Sequence, residues 1–158
     1  MKAEWRMGIY LGHEINNETA FVQCQDMVVK GLSIEQTGGD GIIVDQCERV
    51  LIQDVNSDGN NRQGLSIIGA KDMLVERCNF SNTNGTAPSA GIDIEPDGVH
   101  YDIINVTIRD CMAINNRYRC TQSIDHHSHS IPRYVFTACS FTIAVAVSRA
   151  ADTAFSRG

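Results

Sequence analysis

An ungapped 23-residue repeat, short apolar segments with period-two alternation and polar turns between them predict an all-β solenoid, a right-handed parallel β-helix. The repeat aligns residues 19–24 with 42–47 and 65–70. One coil of this length cannot bury its inner face alone, whereas coils stacked at roughly 4.8 Å pair every strand with its neighbours. We expect about four to five such coils, since helical periodicity is absent.

Further columns of equivalent residues support the repeat. The step from Cys78 to Cys111 is 33 residues, because insertions of four and six residues, near 87–90 and 96–102, lengthen the fourth coil. The columns before these insertions are Met27, Val50 and Met73; Val29, Ile52 and Val75; and Leu32, Val55 and Cys78.

Two strands are predicted in each coil. The first covers residues 41–44, 64–67 and 91–94, and alternation turns Ile42/Val44, Leu65/Ile67 and Ile92/Ile94 inward. The second covers residues 27–32, 50–55, 73–78 and 106–111. Polar turns at 36–40, 58–62 and 81–85 close the coils.

The columns fade after Asn116, which divides the chain into two predicted regions. Residues 1–116 form the β-helix coils, and residues 117–158 form a degenerate or irregular segment, as in a fragment or a frame-shifted end. His126, His127 and His129 lie in the second region, and their spacing alone is too weak a signal to predict a metal site.

Charge and cysteine placement exclude several classes of protein. A net charge of −6 argues against nucleic acid as a partner. No segment reaches the roughly 20 apolar residues of a membrane span, and no secretory signal is visible. Cys24 and Cys47 share one column and Cys78 and Cys111 another, which predicts buried free thiols rather than disulfides.

The segments 38–42, 61–66 and 85–96 resemble bacterial right-handed parallel β-helix repeat proteins of the pectate-lyase-like superfamily. The resemblance covers about residues 4 to 116. It implies an extracellular or periplasmic protein that acts on polysaccharides by hydrolysis, lyase elimination or epimerisation. Neither the Asn-Thr-Asp, Asp-Asp and His-Gly set of polygalacturonase-type hydrolases nor the Asp-Pro-His-Asp signature of mannuronan epimerases is present, so no catalytic set transfers.

Asp93 and Glu95 are the predicted catalytic pair. Inward Ile92 and Ile94 place both carboxylates on the exposed face of one strand, with Cα atoms roughly 6.5 to 7 Å apart. Glycoside hydrolysis uses carboxyl groups roughly 5 to 9.5 Å apart, one as general acid and the other as base or nucleophile. The alternative is a solvated strand face that ends at Pro96.

Polar residues on neighbouring coils are the predicted substrate-binding groups. The Arg62 guanidinium can bind a uronate carboxylate, and Asp45, in the column of Glu95, can extend the groove or help to bind Ca²⁺. Trp5 is either a platform for sugar stacking or part of a cap. The full predicted binding set is Asp40, Asp45, Asp58, Asn61, Arg62 and Gln63.

Three functions fit these residues. The first is a carbohydrate-active enzyme with a polysaccharide substrate, with glycoside hydrolysis favoured over a lyase because no lysine lies near Asp93 in register. The second is a non-catalytic glycan-binding or adhesive β-helix. The third is an inactive fragment of a larger polysaccharide lyase or epimerase. The choice of the first depends on the resemblance, since a fold does not define a function.

Overall fold

The computed structural model describes residues 5–12, 24–96 and 101–117, together with the backbone of strands 119–123 and 139–145. It confirms the all-β parallel solenoid. The described residues form three complete coils, β2 to β4, β5 to β7 and β8 to β10, which is fewer than the four to five predicted. The strands are β1 (Ile9–Leu11), β2 (Cys24–Lys30), β3 (Ser33–Glu35), β4 (Ile42–Val44), β5 (Cys47–Gln53), β6 (Asn56–Asp58), β7 (Leu65–Ile67), β8 (Ala70–Glu76), β9 (Asn79–Ser81), β10 (Ala90–Ile94), β11 (Ile103–Ala113), β12 (Arg119–Ser123) and β13 (Cys139–Val145).

The strands stack into three faces that run along the solenoid. The first face has the order β1-β4-β7-β10-β12, and the second has the order β2-β5-β8-β11. The third contains β3, β6 and β9, and it joins the end of the long strand β11. Pairing is parallel and in register, so that Ile42 lies beside Leu65 and Leu65 beside Ile92. Equivalent residues of successive coils therefore lie directly above one another.

The third face was not predicted from the sequence. Each of its strands is only three residues long, and the central side chain is buried in each: Ile34, Ser57 and Phe80 in successive coils. Because the middle member of this column is polar, no apolar column marks the strand.

The predicted inward columns form the core. Ile42, Leu65 and Ile92 are fully buried, as are Ile52 and Val75 of the second face. Leu32 does not join the core, although it belongs to a predicted inward column. It is 36% exposed, while Val55 and Cys78 of the same column are buried. The thiols of Cys24, Cys47, Cys78 and Cys111 are free, as predicted.

The corners between faces use backbone conformations that ordinary residues avoid. Positive φ recurs in columns, and aspartate, asparagine and glycine occupy most of these positions because they tolerate the left-handed region best. The columns are Asp26, Arg49, Asp72 and Asn105; Gly31, Asp54, Arg77 and Asp110; and Gln36, Gly59, Asn82 and Asn115.

The turn that leads into the first face is held by stacked asparagine and threonine. Asn60 Oδ1 accepts hydrogen bonds from the backbone N–H of Thr37, at 3.1 Å, and from its Oγ1, at 2.9 Å. Asn116 accepts the same two bonds from Thr83 at 3.0 and 2.7 Å. These side chains thus supply the partners that the turn backbone needs.

Two strands after residue 116 pair with the coils. Strand β12 pairs in parallel with β10, with Thr121 beside Ile92, and β13 pairs antiparallel with β11. The segment 125–129, with its three histidines, lies outside the described residues, so the division at residue 116 stays a prediction. The described residues include no helix long and apolar enough to cross a membrane.

Gly64 should tolerate no side chain. A Cβ there would lie 2.6 Å from the Gly91 carbonyl oxygen and 2.8 Å from Phe80 Cβ, whereas one at Gly31, with φ of +65°, would meet nothing within 4 Å. We expect Gly31→Ala to lower the free energy of unfolding by about 1 kcal/mol. Gly64→Ala should lower it by about 3 kcal/mol, the upper end for overpacking. Urea denaturation measures both, and equal losses would contradict the tight stacking of coils at Gly64.

Candidate functional site

A buried polar cluster lies on the outer side of the first face. Its members are Asp40, Gln63, Ser66 and Asp93, of which Ser66, at 5%, is the most exposed. Ser66 and Asp93 are direct neighbours in the β7–β10 pairing. Asp40 and Gln63 lie just before β4 and β7, in the turns that close successive coils. In-register stacking therefore brings together polar residues that are far apart in sequence.

Asp40 is the most fully bonded carboxylate of the cluster. Its Oδ2 accepts hydrogen bonds from Ser66 Oγ at 2.8 Å and from Arg62 Nη1 at 3.2 Å, and its Oδ1 accepts one from the Gln63 backbone N–H at 3.1 Å. Burial raises the pKa of Asp40, while the charge of Arg62 opposes the increase. Asp40 therefore anchors the Arg62 guanidinium beside the cluster.

Asp93 has fewer partners than Asp40. Its Oδ2 accepts a hydrogen bond from Gln63 Nε2 at 2.8 Å. Its Oδ1 and the Gln63 Oε1 are buried, and neither accepts a hydrogen bond from an N–H or hydroxyl donor in the part of the chain that the structure describes. Burial raises the pKa of Asp93 to about 7, and the charge and hydrogen bond of Glu95 contribute to this increase. Asp93 therefore keeps its proton up to about pH 7 and shares it with Glu95 through their hydrogen bond.

The predicted exposure of the catalytic pair is wrong for Asp93, which is fully buried, while Glu95 is half-buried at the rim of the cluster. Alternation along β10 correctly predicts that Ile92 and Ile94 point into the core and that Asp93 lies on the outer side. It does not predict whether other residues cover Asp93 on that side. Contacts with Gln63 and Glu95 hold the Asp93 carboxyl within the cluster and away from solvent.

Arg62 links the buried cluster to the surface. Its guanidinium contacts Asp40 on one side and stacks over the Trp5 ring, 5.6 Å from the ring centroid, on the other. The Arg62 side chain is 22% exposed, and Trp5 is 75% exposed. A guanidinium over an aromatic ring is attracted to the face of the ring. Trp5 and Arg62 therefore form the solvent-exposed rim beside the cluster.

The other predicted binding residues lie apart from Asp93. Asp45 is buried directly after β4, and its Oδ2 accepts a hydrogen bond from Tyr10 Oη at 2.6 Å. Asp58 ends β6 on the third face and accepts a hydrogen bond from Asn82. Asn61 donates to Thr86 Oγ1 at 3.2 Å.

The structure thus brings together five of the predicted site residues: Asp40, Arg62, Gln63, Asp93 and Glu95. Sequence reasoning missed Ser66, although the aligned repeat places it in the column of Asp93 and one rung away. That alignment was the available signal. Among the described residues, no group of three or more His, Cys, Asp or Glu side chains is arranged to hold a metal ion.

These features define a parallel β-helix with a buried acidic cluster on its first face. The chain belongs to the family described as "Right handed beta helix region", whose model matches residues 9–141. The "Uncharacterized protein YclG" of Bacillus subtilis (strain 168) is 32% identical over 127 residues, which are 69% of this chain and 22% of that protein. The chain therefore spans about a fifth of the length of this curated relative. No solved structure gives a significant match.

Burial of Asp93 should make the protein less stable as pH rises. The folded chain holds the Asp93 proton up to about pH 7, whereas an unfolded chain releases it near the ordinary aspartate pKa of 3.8, so folding is penalised progressively between these values. We expect Asp93→Asn to raise the melting temperature at pH 8, by about 3 °C for each kcal/mol by which it increases the free energy of unfolding. At pH 5 the increase should be smaller.

Asp54→Asn is the matched control for this pH effect. Asp54 is a half-exposed carboxylate whose pKa is lowered by its hydrogen bond with Arg77. Its replacement should not stabilise the protein at pH 8. A lower melting temperature for Asp93→Asn at both pH values, measured by calorimetry, would contradict the buried-acid interpretation.

Proposed function

We propose that this chain is the β-helix of a polysaccharide hydrolase in which Asp93 and Glu95 supply the acid and the base. The observation that supports this proposal is a fully buried carboxyl with a pKa of about 7 beside a second carboxyl at the rim. Proton transfer is most effective when the catalytic pKa lies near the working pH. A buried carboxyl whose pKa is raised by desolvation and by a neighbouring carboxylate is typical of acid–base sites.

Glu95 is the member of the pair that contacts the substrate, because Asp93 is fully buried while Glu95 is half-buried. A glycosidic oxygen that reaches Glu95 replaces the hydrogen bond between the two carboxyls. The shared proton then passes through Glu95 to the leaving oxygen as the bond from the anomeric carbon breaks. Water adds to that carbon and returns a proton to the pair, so one water is consumed and the pair is restored.

The charges near the pair favour hydrolysis over β-elimination. Elimination from a uronate needs a base and a cation that neutralises the sugar carboxylate. Arg62 is the described cation whose charge acts on Asp93, and its Nη1 is bound to Asp40. Lys30 and Lys71 lie on the second face, in β2 and β8. A polysaccharide substrate also implies an extracellular or periplasmic location, which is part of this proposal.

Glycan binding without catalysis is the second candidate, and Trp5 is the observation that favours it. The ring is 75% exposed and held by Arg62, as in a platform on which a sugar ring stacks. In that case Asp93 and Glu95 are dispensable, and Trp5→Ala alone abolishes binding.

Product analysis of the 158-residue chain on neutral and uronic polysaccharides separates these functions. We expect new reducing ends without unsaturated sugars, and a rate that falls as pH rises through about 7, where the Asp93 pair loses its proton. Glu95→Gln and Asp93→Asn should each lower kcat/KM by about 100-fold or more. Asp54→Asn, at the corner between β5 and β6, should leave it unchanged.

Each other outcome argues against the proposal in its own way. Unsaturated products would replace hydrolysis with elimination. Turnover that survives both substitutions would remove Asp93 and Glu95 from the mechanism. Binding without turnover, lost in Trp5→Ala, would favour the non-catalytic candidate.

A further inference from the structure

An open groove crosses the turns that lead from the third face to the first. Its volume is about 310 Å³, at the lower end of the roughly 300–1,000 Å³ that is usual for ligand pockets. Three successive coils line this amide groove, each with three residues: Gln36, Thr37 and Gly38; Gly59, Asn60 and Asn61; and Asn82, Asn84 and Gly85. The lining therefore contains no ionisable side chain.

Gly59 opens a recess in the middle of the amide groove. Gln36, Gly59 and Asn82 occupy the same corner position in successive coils, and all three have positive φ. The outer two carry side chains, whereas a Cβ at Gly59 would meet only Gln36 Cγ, at 3.7 Å. Two rungs separate Gln36 from Asn82, which is roughly 9 to 10 Å. The missing side chain thus leaves room for one sugar ring between them.

Side-chain amides supply the polar groups of the amide groove. Gln36 and Asn84 are exposed, so a ligand reaches them from solvent. Asn82 is held in place, because its Nδ2 donates to Asp58 Oδ1 and its Oδ1 accepts from Asn115 Nδ2, both at 2.6 Å. An amide offers donors and an acceptor, and a hydroxyl group likewise donates and accepts. The groove therefore suits an uncharged ligand that is rich in hydroxyl groups.

The charged residues that border the amide groove do not favour an acidic ligand. Glu35 and Asp58 pair in register at the ends of the strands that enter two of the turns. Arg117 Nη1 donates to the Gly85 carbonyl oxygen at 3.1 Å, and Arg117 is not part of the lining. Two carboxylates and one guanidinium leave this border net negative. A sugar carboxylate therefore gains no net attraction here.

We propose that the amide groove binds a neutral sugar ring over Gly59, so that the substrate of the hydrolase is a neutral polysaccharide. This inference rests on the proposed function for the assignment of a glycan. Asn61 lines the groove, and the next residue, Arg62, belongs to the rim beside the buried cluster. Their Cα atoms are about 3.8 Å apart, so the groove and the rim adjoin on one turn. Asn61, which lies apart from Asp93, then binds substrate at this second position.

Calorimetric titration of the 158-residue chain with hexamers of glucose, mannose, xylose and galacturonic acid tests this inference. We expect at least one neutral hexamer to bind at least about 10-fold more tightly than the galacturonate hexamer. Its affinity should change little as salt increases, because no ion pair forms. A chain that prefers the galacturonate hexamer would overturn the inference.

Gly59→Asn and Gly31→Asn are a matched pair of variants for this site. The two glycines have φ of +64° and +65°, a conformation that asparagine tolerates, and neither position is crowded. Gly59→Asn fills the recess, so it should lower the affinity for the neutral hexamer by at least about 10-fold. Gly31→Asn, at the corner between β2 and β3, should leave that affinity unchanged. Equal affinities in two variants that keep their β structure by circular dichroism would overturn the inference.

The outcomes also separate this inference from the proposed function. On a neutral polymer, Gly59→Asn should raise KM with little change in kcat, whereas Glu95→Gln should lower kcat. Binding of a neutral hexamer without cleavage, lost in Gly59→Asn, supports the inference and contradicts the hydrolase. Cleavage of polygalacturonate by a chain that binds no neutral hexamer supports the hydrolase and overturns the inference. A folded chain that binds none of the hexamers and cleaves no polymer overturns both.

Discussion

In-register parallel pairing between coils is the constraint on which the other features of this protein depend. Because Ile42, Leu65 and Ile92 are direct neighbours on successive strands, every inward position repeats as an apolar column. The same rule applies on the outer side, where Ser66 lies beside Asp93. Close stacking also limits what a corner can hold, as at Gly64, where a Cβ would collide with the next coil. The core and the polar cluster therefore have the same origin.

Burial alone does not explain the pKa of Asp93, as a comparison with Glu76 shows. Glu76 is 5% exposed, yet hydrogen bonds from Gln53 and Arg109 hold the pKa of its carboxyl at about 2. Asp93 is buried beside Glu95 and accepts one hydrogen bond from Gln63, and its pKa rises to about 7. Surrounding hydrogen-bond donors stabilise the ionised form of Glu76, whereas Asp93 keeps its proton. A buried acid that destabilises the fold is typical of a functional site.

The sequence predicts the solenoid and its columns well because period and alternation are properties of the chain itself. It correctly predicts that Ile92 and Ile94 point inward, and that Asp93 and Glu95 lie on the outer side of β10. It does not predict the third face, whose buried residues change from Ile34 to Ser57 to Phe80. Nor does it predict that Asp93 is buried, because that depends on contacts between coils. Alternation along a strand predicts which side a residue faces, and packing between coils determines whether that residue is buried.

The measurement that tests this account most directly is an NMR titration of the Asp93 carboxyl carbon, in the wild-type chain and in Glu95→Gln. The account predicts a midpoint of about pH 7 in the wild type, and a lower one in the variant, where the neighbouring charge is gone. A midpoint near the ordinary aspartate value of 3.8 that does not change in Glu95→Gln would contradict it, because Asp93 would then be an ordinary ionised carboxylate.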